Sequence, residues 1–195
     1  MPRIILASTS RYRRELLARL SLPFDVEAPG TPEVEMAGEA PAAMAARLAL
    51  AKARSLRAPD ALVIGSDQVA SLDGRILRKP GGHAAAVGQL LDCQGRSVLF
   101  HTAVAVVDTR TGTAVEHVDR TEVRFRTLGR AALEQYVRLE QPLDCAGSFK
   151  SEGLGVVLFD DVSSHDPTAL IGLPLIWLAQ ALRSLGADPL QSPRS

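Results

Sequence analysis

The chain has 195 residues, 46% hydrophobic and 23% charged, the balance of a globular protein long enough to bury a substantial core. Its 22 basic and 22 acidic residues cancel to a formal charge of zero, which removes the electrostatic basis for general nucleic-acid or membrane binding. Cys93 and Cys145 match neither a disulfide framework nor a metal-ligand spacing, and no apolar run reaches the length of a signal peptide or membrane span, which together point to the cytoplasm.

Residues 3–7 predict a short buried strand. Ser8-Thr9-Ser10 then supply capping side chains for a helix over about residues 11–20, with Leu16, Leu17 and Leu20 on one face. Residues 24–28 alternate as a second strand, and 29–41 form a loop rich in proline and glutamate. The alanine-rich run 42–56 predicts a long helix, and the continuous apolar run 61–65 a central strand. Asp73-Gly74 marks a hairpin turn, and a helix follows around 83–91. Two long β-rich runs, 97–107 and 115–125, flank a turn at Gly112. Residues 133–139 read as helix and 156–159 as another buried strand. Gly172-Leu173-Pro174 opens a last helix with Leu175, Ile176, Leu178, Leu182 and Leu185 as its apolar positions, and the tail after Asp188 is expected to fray. No internal repeat or linker interrupts the chain, so residues 1–195 are expected to form one domain. The order of elements predicts an α/β protein with long antiparallel strands, an elongated two-lobed sheet with a cleft between the lobes.

Three polar constellations could carry chemistry. Asp144 to Gly155 sets Lys150 two residues from Glu152, between glycines that would let a ligand approach the backbone. In an extended segment the two would share a face, a cation and an acceptor suited to a nucleotide. Cys145 lies in the same stretch as a candidate nucleophile, though no partner histidine is evident. The second constellation is Ser8 to Arg14, where a strand turns into a helix whose first residues include Arg11, Arg13 and Arg14. Cations there oppose the helix dipole unless an anion sits at that end, and Arg13 is a bidentate phosphate donor. The third is the strand Ile64-Gly65-Ser66-Asp67-Gln68-Val69, read as ending in a carboxylate. Asp67 could serve as a general base or a metal ligand. Glu33 or Glu35 could add a second carboxylate for Mg²⁺ or Mn²⁺, and Lys52 and Lys79 are candidate phosphate clamps.

Taken in order and spacing, these segments resemble the Maf family of nucleoside triphosphate pyrophosphatases, whose fold is similar to that of inosine-triphosphate pyrophosphatases. The matching motifs are Leu6-Ala7-Ser8-Thr9-Ser10 with Arg13 and Leu16-Leu17, and Arg47-Leu48-Ala49 with Lys52-Ala53. They continue through Gly65 to Val69, Lys79-Pro80, Cys145 to Gly155 and Gly172-Leu173-Pro174-Leu175. By this resemblance Asp67 is the proton acceptor, and Ser8, Ser10, Arg13, Glu33, Lys52, Lys79 and Lys150 line the cleft. Glu33 and Asp67 would hold a divalent metal ion, Mg²⁺ or Mn²⁺. The resemblance also implies a nucleoside triphosphate as substrate and is compatible with a homodimer.

Within the family, one branch hydrolyses dTTP and UTP and usually carries Arg, Thr and Gln at three specificity positions. The branch acting on 7-methyl-GTP carries an aromatic residue, Gln and Glu. Here the three are Tyr12, Gln68 and Glu152, which resembles the second branch. The chemistry agrees, because a methylated guanine ring is cationic and an aromatic face attracts it by about 0.5–2 kcal/mol. Two departures stand out: Arg11 and Pro32 occupy positions where the family often has Pro and Asp. The dTTP/UTP activity and a nucleotide-binding regulator of cell division with little turnover are the rival readings.

Overall fold

The computed structural model describes residues 1–191. Their strands are β1 (Arg3–Ala7), β2 (Asp25–Glu27), β3 (Ala61–Leu72), β4 (Arg75–Leu77), β5 (Ser97–Asp108), β6 (Thr113–Phe125) and β7 (Phe159–Ser163). The helices are α1 (Arg11–Ala18), α2 (Pro41–Arg54), α3 (His83–Cys93), α4 (Arg130–Glu140) and α5 (Leu175–Ser184). The strands form one mixed sheet in the order β2-β1-β3-β5-β6-β7, with β4 also paired to β3. β1 runs parallel to β2 and β3, whereas β3, β5, β6 and β7 are antiparallel neighbours. This is the mixed α/β sheet expected from the order of elements.

The period-2 geometry of β3 sends alternate side chains to opposite faces. Leu62 and Ile64 pack with Leu16 and Leu17 of α1 and Leu178 and Leu182 of α5. Val63 faces the other way, with Ile5, Leu48, Ala49 and Ala53. A separate core fills the other half of the molecule, where Leu90 of α3 and Leu133 and Tyr136 of α4 meet Leu72, Phe100 and Phe125. These two halves are the expected lobes.

β3 does not stop at Asp67. It continues to Leu72, because Thr102, Phe100 and Val98 of β5 go on pairing with Gln68, Ala70 and Leu72. Its other edge is interrupted. β1 pairs with Ala61 to Gly65 and ends there, and β4 pairs only from Ala70 to Leu72. Ser66 to Val69 therefore have no strand on that side, and a gap opens in the middle of the sheet. Asp67 is at the end of its neighbour β1, not at the end of its own strand.

Three other expectations are corrected. Residues 154–158 form a short 3-10 helix that leaves Val156 and Val157 exposed, and the strand begins at Phe159. Ile176 is 64% exposed, since α5 turns Leu175, Leu178 and Leu182 inward instead. The chain past α5 remains turned at Asp188, whose carboxylate pairs with Arg183 at 3.1 Å and whose carbonyl accepts from Gln191. The rest of the tail expected to fray, residues 192–195, lies outside the described residues.

Helix α2 approaches the sheet unusually closely because Ala45, Ala49 and Ala53 recur every fourth residue and are all buried. They face Gly65, where a Cβ would lie 2.2 Å from the Ala49 carbonyl oxygen and 2.5 Å from the Ala53 nitrogen. Gly65→Ala should therefore force α2 off the sheet, costing about 1–3 kcal/mol or more. Thermal unfolding checks this, and an unchanged Tm would contradict the close contact.

Candidate active site

A cleft of about 490 Å³ occupies the gap in the sheet. Ser8 to Arg13 enter it from the end of β1, and Lys79 enters from beyond β4. Lys52 and Gln68 form its floor, Glu33 comes from the loop before α2, and Glu152 from the segment after α4. Phe100, Phe149 and Leu170 supply an apolar wall, with the two phenylalanine rings edge to face at 5.3 Å.

At the start of α1, Ser10 caps the helix by accepting from the Arg13 amide at 3.4 Å. The buried Ser8 hydroxyl accepts from the Ser10 amide at 3.1 Å and shapes the turn. No acidic residue occupies the first turn, so its unpaired amides and its positive dipole end face the cleft. Arg13 Nε donates to the Gly172 carbonyl at 3.0 Å, and its two terminal nitrogens have no partner among the described residues in the cleft that Arg13 lines. Burial pulls the Arg13 guanidinium below its ordinary pKa, against the opposing pull of Asp67 and Glu33.

The centre of the site is an ammonium between two carboxylates. Lys52 is 5% exposed, and its Nζ donates to Asp67 Oδ1 at 2.6 Å and Glu33 Oε1 at 2.5 Å. Asp67 is 7% exposed and is not itself among the residues lining the cleft, and its Oδ2 makes no hydrogen bond among the described residues. Breaking such a buried pair from one side costs about 3–5 kcal/mol, because a lone charge is left in a low dielectric. Hydrogen bonding to Lys52, reinforced by Lys79 and Arg13, holds the Glu33 carboxyl below the usual range although burial pushes it up. Glu35 pairs instead with Arg78 at 2.5 Å, away from the cleft lining. Glu33 and Asp67 thus converge on one cationic position as hard oxygen donors, a set that fits Mg²⁺ or Mn²⁺ if phosphate oxygens and water complete the shell. Among the described residues no cluster of three or more His, Cys, Asp or Glu could hold a metal unaided.

The segment from Asp144 to Gly155 is built differently from the expectation. Lys150 turns away from the cleft, donating to the Glu140 carbonyl at 2.6 Å, with the Glu140 carboxylate 3.7 Å away. Residues 150–153 form a turn, so Lys150 and Glu152 do not share a face, and only Glu152 reaches the cleft. The glycines are spoken for by the protein itself. A Cβ at Gly147 would meet the Phe100 ring at 3.0 Å, one at Gly153 the Glu140 carboxylate at 2.8 Å, and one at Gly155 the Lys150 carbonyl at 2.3 Å. Cys145 lines the cleft, but burial and then Asp144 push its thiol up to about 12, so it stays protonated and non-nucleophilic at neutral pH.

Several contributors were not evident in the sequence. Arg47 donates to both Glu39 oxygens at 2.6 Å and to the Val34 carbonyl at 2.9 Å, which ties the loop carrying Glu33 to α2. Gln68 and Thr102 donate to the carbonyls of Ala169 and Leu170, and the Ser66 hydroxyl shares its proton between the Ala103 carbonyl at 2.8 Å and the Gly172 carbonyl at 3.0 Å, joining the cleft floor to the loop before α5. Backbone carbonyls leave no signature in residue identity.

A cation-rimmed cleft beside a buried lysine–carboxylate pair, opening at a break in a mixed sheet, defines an α/β protein with a site suited to a polyanionic ligand. The chain belongs to the Maf family: residues 3–185 match the family described as Maf-like protein. A relative in Albidiferax ferrireducens, named 7-methyl-GTP pyrophosphatase, is 54% identical over 190 residues, covering 96% of each chain. A relative of the same name in Burkholderia orbicola is 56% identical over 188 residues, covering 94% of this chain and 90% of its own. The solved structure of a HAM1 protein from Coxiella burnetii shares the fold, with a TM-score of 0.52 at 15% identity, covering 94% of this chain and 100% of its own.

Proposed function

We propose that this protein is a nucleoside triphosphate pyrophosphatase that converts 7-methyl-GTP and water into 7-methyl-GMP and diphosphate. The observation that carries this reading is that Tyr12, Gln68 and Glu152 line the same cleft as Arg13, Lys52 and Lys79. An aromatic ring, an amide and a carboxylate suit a cationic, donor-bearing base, and the cations beside them suit its triphosphate. Arg11 stands 4.7 Å from the Tyr12 ring centroid on one face, which leaves the opposite face for the base. Relatives 54–56% identical over nearly the whole chain carry the name 7-methyl-GTP pyrophosphatase, which supports the same conclusion.

In this reading Asp67 Oδ2 takes a proton from water as its oxygen attacks the α-phosphorus and the bond to the bridging oxygen of the leaving diphosphate breaks. Lys52 holds Asp67 and Glu33 side by side and favours the charged form of Glu33. The Arg13 terminal nitrogens and Lys79 neutralise the phosphates, and the amides at the start of α1 add donors without a desolvation cost of their own. Glu33 and Asp67 would hold a divalent cation, which would screen the polyanion from the carboxylates and acidify the attacking water.

Assaying diphosphate release across a nucleotide panel tests the substrate. The wild type should prefer 7-methyl-GTP over UTP, dTTP and GTP, and Tyr12→Arg with Glu152→Gln should shift the ratio toward UTP. A wild-type preference for UTP would overturn the branch assignment, and no release from any nucleotide would overturn the enzyme reading.

Asp67→Asn keeps an oxygen to accept from Lys52, so the fold and nucleotide binding should persist while kcat falls on the order of 10²-fold or more. Near-wild-type turnover by the folded variant would remove Asp67 as the base.

Excess EDTA should abolish turnover, and Mg²⁺ or Mn²⁺ should restore it. Full activity in chelator would show that Arg13, Lys52 and Lys79 carry the charge alone.

A further inference from the structure

Gln68 and Thr102 are directly opposite one another on β3 and β5. The Thr102 hydroxyl is fully buried and has one proton, which it donates to the Ala169 carbonyl at 2.9 Å. It can therefore only accept from Gln68, whose Nε2 lies 2.9 Å away. The carbonyls of Ala169 and Leu170 each lie 3.0 Å from the same Nε2, whose two protons are therefore shared among three acceptors. Turning the amide over would set its oxygen against two carbonyls and a hydroxyl lone pair at once, with no donor among them. The amide is locked one way round, and Oε1, which has no hydrogen-bond partner among the described residues, is the polar atom left for the cleft that Gln68 lines.

We infer that Thr102 is a positioning residue for substrate selection: with the Ala169 and Leu170 carbonyls it holds Gln68 as an acceptor, not a donor, toward the base. Glu152 lines the same cleft and is an acceptor too. Two acceptors match a base edge made of two donors, the N1–H and exocyclic amino group of a guanine. They repel the carbonyl oxygens that flank N3–H in uracil or thymine. This inference rests on the proposed nucleotide activity and deepens it, because it assigns the discrimination to one hydroxyl outside the three specificity positions.

The test compares kcat/KM for 7-methyl-GTP with that for 7-methyl-ITP, which differs only in lacking the 2-amino group. The wild type should prefer the amino-bearing nucleotide by at least about tenfold, as a site with paired acceptors does when a donor is missing. Thr102→Val, which removes the hydroxyl at nearly constant shape and leaves the two carbonyls in place, should shrink that ratio by about threefold or more as the amide loses one of the three acceptors that hold it, and Thr102→Ser should restore it. Gln68→Met should lower the ratio by itself and leave Thr102→Val without further effect on it. A purely structural role for Thr102 would lower both substrates equally and move the ratio in neither background, which would overturn the inference. A wild-type ratio near one in an active enzyme would overturn it as well, and this comparison does not depend on any variant folding. A wild type inactive on both methylated nucleotides would overturn the proposed activity and the inference with it.

Discussion

The position of the site depends on the contact between α2 and β3 at Gly65. The helix presents the Ala49 carbonyl, the Ala53 amide and the Ala53 methyl to this residue, and there is no room for a Cβ between them. Only at that separation does the side chain of Lys52, one turn along α2, reach Asp67, two residues along β3. The short reach also explains the burial of both charges, since a more distant helix would admit water between them. The alanine stripe of α2 is thus part of the active-site geometry, although none of its residues touches the cleft.

The break on one edge of β3 does the rest. A continuous sheet would bury Ser66 to Val69 behind a neighbouring strand, but here β1 ends at Ala7 and β4 begins pairing only at Ala70. Strand alternation then divides the labour between the two faces of one short segment. Asp67 goes to the α2 side, where Lys52 and Glu33 hold charge. Ser66 and Gln68 go to the opposite side, where the loop before α5 supplies carbonyls that orient them. Arg13 joins that second network through Gly172, so α1 and β3 share one anchoring loop.

The segment from Asp144 to Gly155 shows how a conspicuous motif can serve the scaffold. Its glycines accommodate Phe100, Glu140 and the backbone of Lys150, and its lysine closes the end of α4. What this construction delivers to the cleft is Asp144, Cys145, Ala146, Phe149, Ser151 and Glu152. A cation and a carboxylate two residues apart suggested a shared ligand because an extended chain would place them on one face. The turn at 150–153 sends them in different directions.

The order of residues along the chain already held the element order, the mixed α/β class, the capped entry to α1, and Ser8, Ser10, Tyr12, Arg13, Glu33, Lys52, Gln68, Lys79 and Glu152 among the side chains that line the cleft. These follow from local rules, in which periodicity sets the elements, Ser10 caps a helix and a cluster of arginines at a helix start calls for an anion. It also carried the family membership, since motif order along the chain needs no coordinates. It could not show that β3 runs on past Asp67, because the strand's length is set by pairing with β5 and not by its own residues. Nor could it show the Lys52 bridge, the withdrawal of Lys150 to Glu140, or the orientation of the Gln68 amide. Each of these depends on which groups from distant parts of the chain meet in a low-dielectric interior, where an unpaired donor or charge is costly and its partner is chosen by tertiary packing alone.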